Sequence, residues 1–353
     1  MKSDTVLLGL HPPDRLRARL PMKWKILNLA KPFTFSGDNG VQMLEAGECE
    51  LVTTEKPGPL SGEDLKTELA GVDAVVAGGD EFCAELLETP EAGDLKIIAR
   101  WGVGYDAIDV PAATRAGIVV GFLPGFLDDV VADYTWALLL GMARRIPWGQ
   151  ASMLEGGWQP AWGHDVVRRT LGIVGCGRIG TAVARRARGF EMRVLAFDPY
   201  PNDAAREAGA EFVSLEELLE QSDFVSLNAA ATTKNRGIIG ETELRRMKES
   251  AYLINTARGS LLNEAAMVRA LSQGWIAGAA LDCFVEEPLP AEHPLRLAPN
   301  VLLCPHMAPC AWGNAQEMNR GVAQTILDLK AGKRPELVVN PEVFDSANLR
   351  SNV

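Results

Sequence analysis

The chain has 353 residues, a formal net charge of -11 and a pI near 5.0, with acidic and basic residues interspersed along it. A net acidic chain without a basic stripe argues against nucleic acid and anionic membrane as partners, and no apolar run approaches the ~20 residues that cross a bilayer. At roughly 100–200 residues per domain, the length predicts two domains with a cleft between them.

The N-terminus, Met-Lys-Ser-Asp, shows no apolar stretch followed by a small-residue cleavage site, so a cytoplasmic location is expected. A Pro- and Arg-rich lead over residues 1–22 precedes the first predicted strand at 25–29. Further strands are predicted at 74–77, 97–100 and 118–120, with helices at 62–69 and 81–88 between them. A long helix is predicted over about 130–145, where Ala132, Trp136, Leu139 and Leu140 recur at helical spacing and Arg144 and Arg145 suit the C-terminal dipole. Pro147, Trp148, Gly156, Gly157, Trp158, Pro160, Trp162 and Gly163 then predict an exposed arm.

A second unit begins at Thr170, with six strands predicted at 171–174, 193–197, 224–227, 251–255, 277–281 and 301–304, and a last helix at 315–330. Strands alternating with helices place the chain in the α/β class, the second unit being a Rossmann-type doubly wound parallel sheet. Six cysteines, at 49, 83, 176, 283, 304 and 310, lack the close pairs of a zinc site and are expected to be reduced thiols, so no metal is predicted. A redox pair of Cys304 and Cys310 is the alternative.

Gly175, Gly177 and Gly180 form G-x-G-x-x-G directly after the strand at 171–174 and before a helix through Ala182, Val183 and Ala184. The first glycine permits a tight turn, the second lets the backbone approach a pyrophosphate, and the third lets helix and strand pack closely. The helix N-terminus adds unpaired N–H groups. Asp198 ends the next strand, where a carboxylate accepts hydrogen bonds from ribose hydroxyls and repels a 2′-phosphate. No Arg follows among Pro199, Tyr200, Pro201 and Asn202, so NAD is expected rather than NADP. A structural glycine turn and a turn-forming Asp would explain the parts separately but not their register.

In open α/β sheets ligands bind beyond the carboxyl ends of the strands. Arg258 follows the strand ending at Asn255, Asp282 and Glu287 follow Leu281, and His306 follows Cys304 and Pro305. Moving a hydride to or from C2 of a 2-hydroxy acid requires an acid or base for the hydroxyl proton, a task for a group titrating near neutrality. His306 fits that task, and Glu287 is placed to hold its imidazole and fix the tautomer. A planar guanidinium suits both the substrate carboxylate and the polarised C2 oxygen, which singles out Arg258. The structural alternatives are a surface ion pair for Arg258, a solvated loop for Glu287 and a core histidine for His306.

Several motifs occur in order: Arg-Trp-Gly-Val-Gly-Tyr-Asp at 100–106, Val-Ala-Asp at 131–133, Gly-Ile-Val-Gly-Cys-Gly-Arg-Ile-Gly at 172–180, Asn-Thr-Ala-Arg-Gly at 255–259, Leu-Asp-Cys-Phe-Val-Glu-Glu-Pro at 281–288 and Pro-His at 305–306. Together they resemble the D-isomer-specific 2-hydroxyacid dehydrogenase family, in its short phosphoglycerate-dehydrogenase-like form, over about residues 25–341. The resemblance implies Arg258 as the cation that binds and polarises the substrate, His306 as acid/base, Glu287 as its partner and Asp282 at the nicotinamide end. It further implies that N–H groups around Val103 and Gly104 cradle the substrate carboxylate, and that Arg178, Ile179 and Thr256 line the cofactor. It implies a discontinuous, flavodoxin-like α/β substrate domain at 1–121 and 306–353 around an NAD-binding domain at 122–305. A homodimer is implied as well, with the arm at 147–163 as part of the contact.

Three segments depart from the family pattern. Asn228-Ala229-Ala230-Ala231-Thr232 stands where His-x-Pro-Leu-Thr is common, and Met307 to Trp312 replaces a glycine- or serine-containing turn. Gly78, Gly79 and Asp80 stand where phosphoglycerate-oxidising relatives commonly place an Arg, and an acidic group there would repel a phosphate. The expected function is NAD-dependent hydride transfer to or from a small D-2-hydroxy acid. D-3-phosphoglycerate dehydrogenase is the alternative within the class, and an NAD(H)-sensing corepressor-like protein the alternative outside it. A formate dehydrogenase of the same superfamily would pair the histidine with Gln, where this chain has Glu287.

Overall fold

The computed structural model describes residues 23–351, so the lead at 1–22 and its His11 lie outside the described residues. Among the described residues twelve strands form two sheets. The first holds β1 (Trp24–Asn28), β2 (Cys49–Thr53), β3 (Ala74–Ala77), β4 (Ile97–Arg100) and β5 (Val119–Gly121), all parallel, in the order β2-β1-β3-β4-β5. That is the flavodoxin-like strand order.

The second holds β6 (Thr170–Val174), β7 (Arg193–Phe197), β8 (Ala210–Phe212), β9 (Phe224–Leu227), β10 (Tyr252–Asn255), β11 (Gly278–Leu281) and β12 (Val301–Leu303), again parallel. Its order, β12-β11-β10-β9-β6-β7-β8, reverses between β6 and β9 and so opens a crevice at their carboxyl ends.

Both sheets carry helices on both faces, and the period-two alternation of their strands shows it. On β1, Ile26 faces the helix Trp312–Lys330 together with Val76, Ile97 and Val119, while Leu27 faces the opposite core with Val75, Ile98 and Val120. In the second sheet Leu171, Ile173 and Ile254 pack with the helices Asp128–Ala143 and Arg178–Ala187, and Val225, Leu253 and Leu281 pack on the other side. The C-terminal helix Trp312–Lys330 thus returns to the first sheet, where it covers β4 and the helix Asn39–Ala46. No helix among the described residues is long and apolar enough to cross a membrane.

Three expectations need correction. The second sheet has seven strands rather than six, because the three-residue edge strand β8, with Glu211 at its centre, carries too weak a pattern; β2 was hidden in the same way by Glu50. The helix expected at 81–88 shrinks to Ala84–Leu87, since Phe82 makes a bridge to Ile108 instead. The arm is not irregular throughout: Ile146–Leu154 is helical, with Pro147 in the first turn, where a missing N–H costs nothing. The irregular part runs from Gly157 to the turn before Thr170.

Candidate active site

The glycine loop links β6 to the helix Arg178–Ala187, whose N-cap is Gly177. Gly175 has φ of 88°, and a Cβ there would lie 2.3 Å from the Ala229 nitrogen, so only glycine lets the turn close against β9. A Cβ at Gly180 would lie 2.4 Å from the Gly175 carbonyl oxygen, whereas at Gly177 it would meet nothing within 4 Å. The first and third glycines therefore serve packing, and the second leaves an open approach to the helix N-terminus, as a pyrophosphate requires. Asn228, at the end of β9, adds a buried Nδ2 with no protein acceptor among the described residues, its Oδ1 taking the Ser226 hydroxyl at 2.8 Å. Open backbone and an unpartnered donor fit a dinucleotide.

Asp198 directly follows β7 and holds this loop in shape: Oδ2 accepts the Cys176 N–H and Oδ1 the Tyr200 N–H, both at 2.8 Å. Arg178 lies along Gly125 and donates from Nε to Asp128 at 2.8 Å. Ile179 packs between the cores of the two sheets. The buried Thr256 hydroxyl meets that of Thr135 at 2.7 Å, tying the loop after β10 to the helix Asp128–Ala143.

At the far end of the crevice the loops after β10, β11 and β12 converge. Nδ1 of His306 lies 2.8 Å from Oε2 of Glu287, whose Oε1 accepts the Phe284 N–H at 2.9 Å. Burial alone would raise the Glu287 carboxyl. The hydrogen bond and charge of His306, the Phe284 N–H and the Arg258 charge outweigh it and hold the group below its ordinary value. An ionised Glu287 can only accept, so Nδ1 must donate and Nε2 is left for another partner.

Arg258 follows the Asx-type turn made by Asn255, whose Oδ1 accepts the Ala257 N–H at 3.1 Å and whose Nδ2 donates to the Arg258 carbonyl at 2.9 Å. Gly259 sits so close to Phe284 that a Cβ would lie 1.9 Å from its carbonyl carbon, which locks the Arg258 turn against the Glu287 turn. Arg258 reaches across to the first sheet, where its Nη2 would lie 1.7 Å from a Cβ on Gly104. The loop at 101–106 is itself fixed from behind. Nε of Arg100 donates to the Gly104 carbonyl at 2.9 Å, Nε1 of Trp101 donates to Oδ1 of the buried Asn319 at 2.8 Å, and Val103 packs on the core. Burial, then the nearby Arg258 charge, pulls the Arg100 guanidinium down to about 10.

Two acidic residues have partners that the sequence did not reveal. Asp282 is buried, and its oxygens accept the Met307 and Ala308 N–H groups at 2.9 Å each, so it shapes the turn that follows His306. Burial raises its carboxyl above the ordinary value, partly offset by those two N–H groups. Asp80 is buried too, with Oδ1 on the Leu60 N–H and Oδ2 on the Gly78 N–H at 2.8 Å, so its carboxylate is committed to the loop and not presented to a ligand. Among the described residues no group of three or more His, Cys, Asp and Glu is arranged to hold a metal, and all six cysteines are free. Burial raises the Cys304 and Cys310 thiols, which removes the signal of a reactive pair.

Residues 136–308 match the NAD binding domain of the D-isomer specific 2-hydroxyacid dehydrogenase family. Over 314 residues, 87% of this chain and 94% of the relative, the chain is 46% identical to a glyoxylate reductase of Korarchaeum cryptofilum. It belongs to the D-isomer specific 2-hydroxyacid dehydrogenase family. Among solved structures, the TT0316 protein of Thermus thermophilus superposes with a TM-score of 0.80 at 35% identity, covering 89% of this chain and 99% of that one. A glyoxylate reductase of Paecilomyes thermophila superposes at 0.77 with 31% identity, covering 90% and 98%. This member of the family is an oxidoreductase that uses NAD(H) to interconvert small 2-oxo and 2-hydroxy acids, and its second sheet carries the NAD-binding motif.

Proposed function

We propose that this dehydrogenase reduces glyoxylate with NADH, using His306, Glu287 and Arg258 as its catalytic set. Support for the substrate comes from relatives named glyoxylate reductase, among them one of Thermococcus kodakarensis at 42% identity over 87% of this chain and 94% of the relative. The reading of the catalytic set rests on one observation: the His306 and Glu287 pair at 2.8 Å shares the crevice end with a guanidinium pressed against the 101–106 loop.

When bound, NADH supplies the hydride that C2 of the substrate receives. Arg258 binds the substrate carboxylate and polarises the C2 oxygen, with N–H groups of Val103 and Gly104 completing the carboxylate cradle. His306 delivers a proton from Nε2 to that oxygen, and Glu287 fixes the tautomer and balances the imidazolium charge. Gly175, Gly177, Arg178, Ile179, Gly180, Asp198, Thr256 and Asp282 form the proposed cofactor side, Asp282 by shaping the turn after His306. The proposed substrate domain is 1–121 with 306–353, and the proposed cofactor domain is 122–305.

We further propose a cytoplasmic homodimer joined through the arm. The helix Ile146–Leu154 buries none of its residues within the chain, and Trp158 and Trp162 are 84% and 91% exposed. Apolar surface on this scale is characteristic of an interface.

NADH consumption across a panel of 2-oxo acids, including 3-phosphohydroxypyruvate, with NADPH as the comparison, tests the assignment. Glyoxylate is expected to give the highest kcat/KM and NADH to be preferred. A preference for the phosphorylated substrate, or turnover with none of the acids, would overturn it.

A further inference from the structure

One side chain around Arg258 belongs to neither the catalytic set nor the cofactor loop. Asp106, two residues beyond Gly104, brings both carboxylate oxygens to Nε of Arg258, at 3.0 and 3.1 Å. The two residues lie 152 positions apart and sit on different sheets, Asp106 on the loop after β4 and Arg258 on the loop after β10. Nη1 donates to the Ala257 carbonyl at 2.8 Å, and Nη2 lies over Gly104. Among the described residues no acceptor engages Nη2.

We propose that Asp106 is a positioning residue for Arg258, orienting the guanidinium so that its Nη2 edge faces the substrate carboxylate; this rests on the reading of Arg258 as the substrate-binding cation. A guanidinium on three rotatable methylenes has many orientations, and a carboxylate on Nε selects those that turn the opposite edge toward the cleft. The Ala257 carbonyl anchors a second corner from the chain's own turn. Asp106 in turn is referenced to the first sheet, because Arg100 clamps the Gly104 carbonyl from β4. The guanidinium is thereby set by both sheets at once and is aligned only when they are together. Stability is a poor explanation for the pair, since Asp106 and Arg258 side chains are 43% and 27% exposed and ion pairs so exposed add little.

The test uses Asp106→Asn, Asp106→Ala, Arg258→Ala and the Asp106→Ala/Arg258→Ala double variant of the full chain. Each is assayed for glyoxylate reduction, NADH affinity by fluorescence and thermal melting. Misplacing a reacting contact by about an ångström costs about a hundredfold. Asp106→Ala is therefore expected to lower kcat/KM by roughly ten- to a hundredfold. NADH affinity and melting temperature stay close to those of the wild type. Asp106→Asn, which keeps the shape and one acceptor, falls between. The double variant is expected to be no worse than Arg258→Ala, because the aspartate acts only through the arginine. An inactive Arg258→Ala beside a nearly wild-type Asp106→Ala overturns the positioning role alone. Losses that multiply in the double variant do the same. An active Arg258→Ala overturns the reading of Arg258 and this inference with it.

Discussion

The carboxylate of Glu287 bridges the Nδ1 of His306, at 2.8 Å, and the backbone N–H of Phe284, at 2.9 Å. The imidazole is thus held by a group that is itself held, and its free nitrogen has a fixed direction. Replacing His306 by Asn removes the proposed proton donor and leaves the fold's core contacts intact. A fall in kcat of about a hundredfold to ten-thousandfold is expected, with NADH affinity retained in a fluorescence titration. Loss of NADH binding in this variant would place His306 on the cofactor and not on the proton.

The same pair makes a statement about acid. The folded Glu287 carboxyl lies below its ordinary value of 4.5, so the folded protein holds the charged form more strongly than the unfolded chain does. Its contribution to stability is complete above about pH 4.5 and is lost as the pH falls through the depressed folded value. Denaturant melts of wild type and Glu287→Gln from pH 7 downward should show their stability gap narrowing over that acid range. A gap that widens on acidification contradicts the assignment.

Asp282→Asn tests the turn after His306. An amide has one acceptor where the carboxylate has two, so either the Met307 or the Ala308 N–H faces an NH2 group. A buried unsatisfied donor costs about 1–3 kcal/mol, readable in a denaturant melt. Turnover should fall as well, because His306 directly precedes the freed segment.

Two glycine substitutions separate the crevice's ends. Gly177→Ala adds a Cβ that meets no protein atom within 4 Å, so the melting temperature should hold while the NADH dissociation constant rises, the added methyl standing where a pyrophosphate approaches. Gly104→Ala places a Cβ 1.7 Å from Nη2 of Arg258, so NADH should still bind while kcat/KM falls about a hundredfold.

The sequence carried the glycine loop, the ends of the long strands and the three residues of the proposed catalytic set, because each sits at the carboxyl end of a strand with a strong apolar pattern. Short edge strands were not legible: Cys49–Thr53 and Ala210–Phe212 mix Glu50 and Glu211 into runs too brief for periodicity to register. The helix Ile146–Leu154 was masked by Pro147, which breaks a helix in its middle and favours one at its start. Asp80 and Asp282 look like ligand-facing acids in a linear reading. Their partners are backbone N–H groups: Gly78 beside Asp80, and otherwise Leu60, Met307 and Ala308, which lie 20, 25 and 26 residues away and are brought near only by the folded chain. The pairing of Asp106 with Arg258, across 152 positions, leaves no local mark at all.

The contact of Gly259 with the Phe284 carbonyl carbon, too close for any side chain, makes the arginine-bearing and glutamate-bearing turns a single shelf. A shelf built this way cannot widen on one side to admit a bulkier acid without displacing the other. Variants selected for larger substrates should therefore accumulate changes elsewhere around the cleft and leave 258, 259 and 284 untouched.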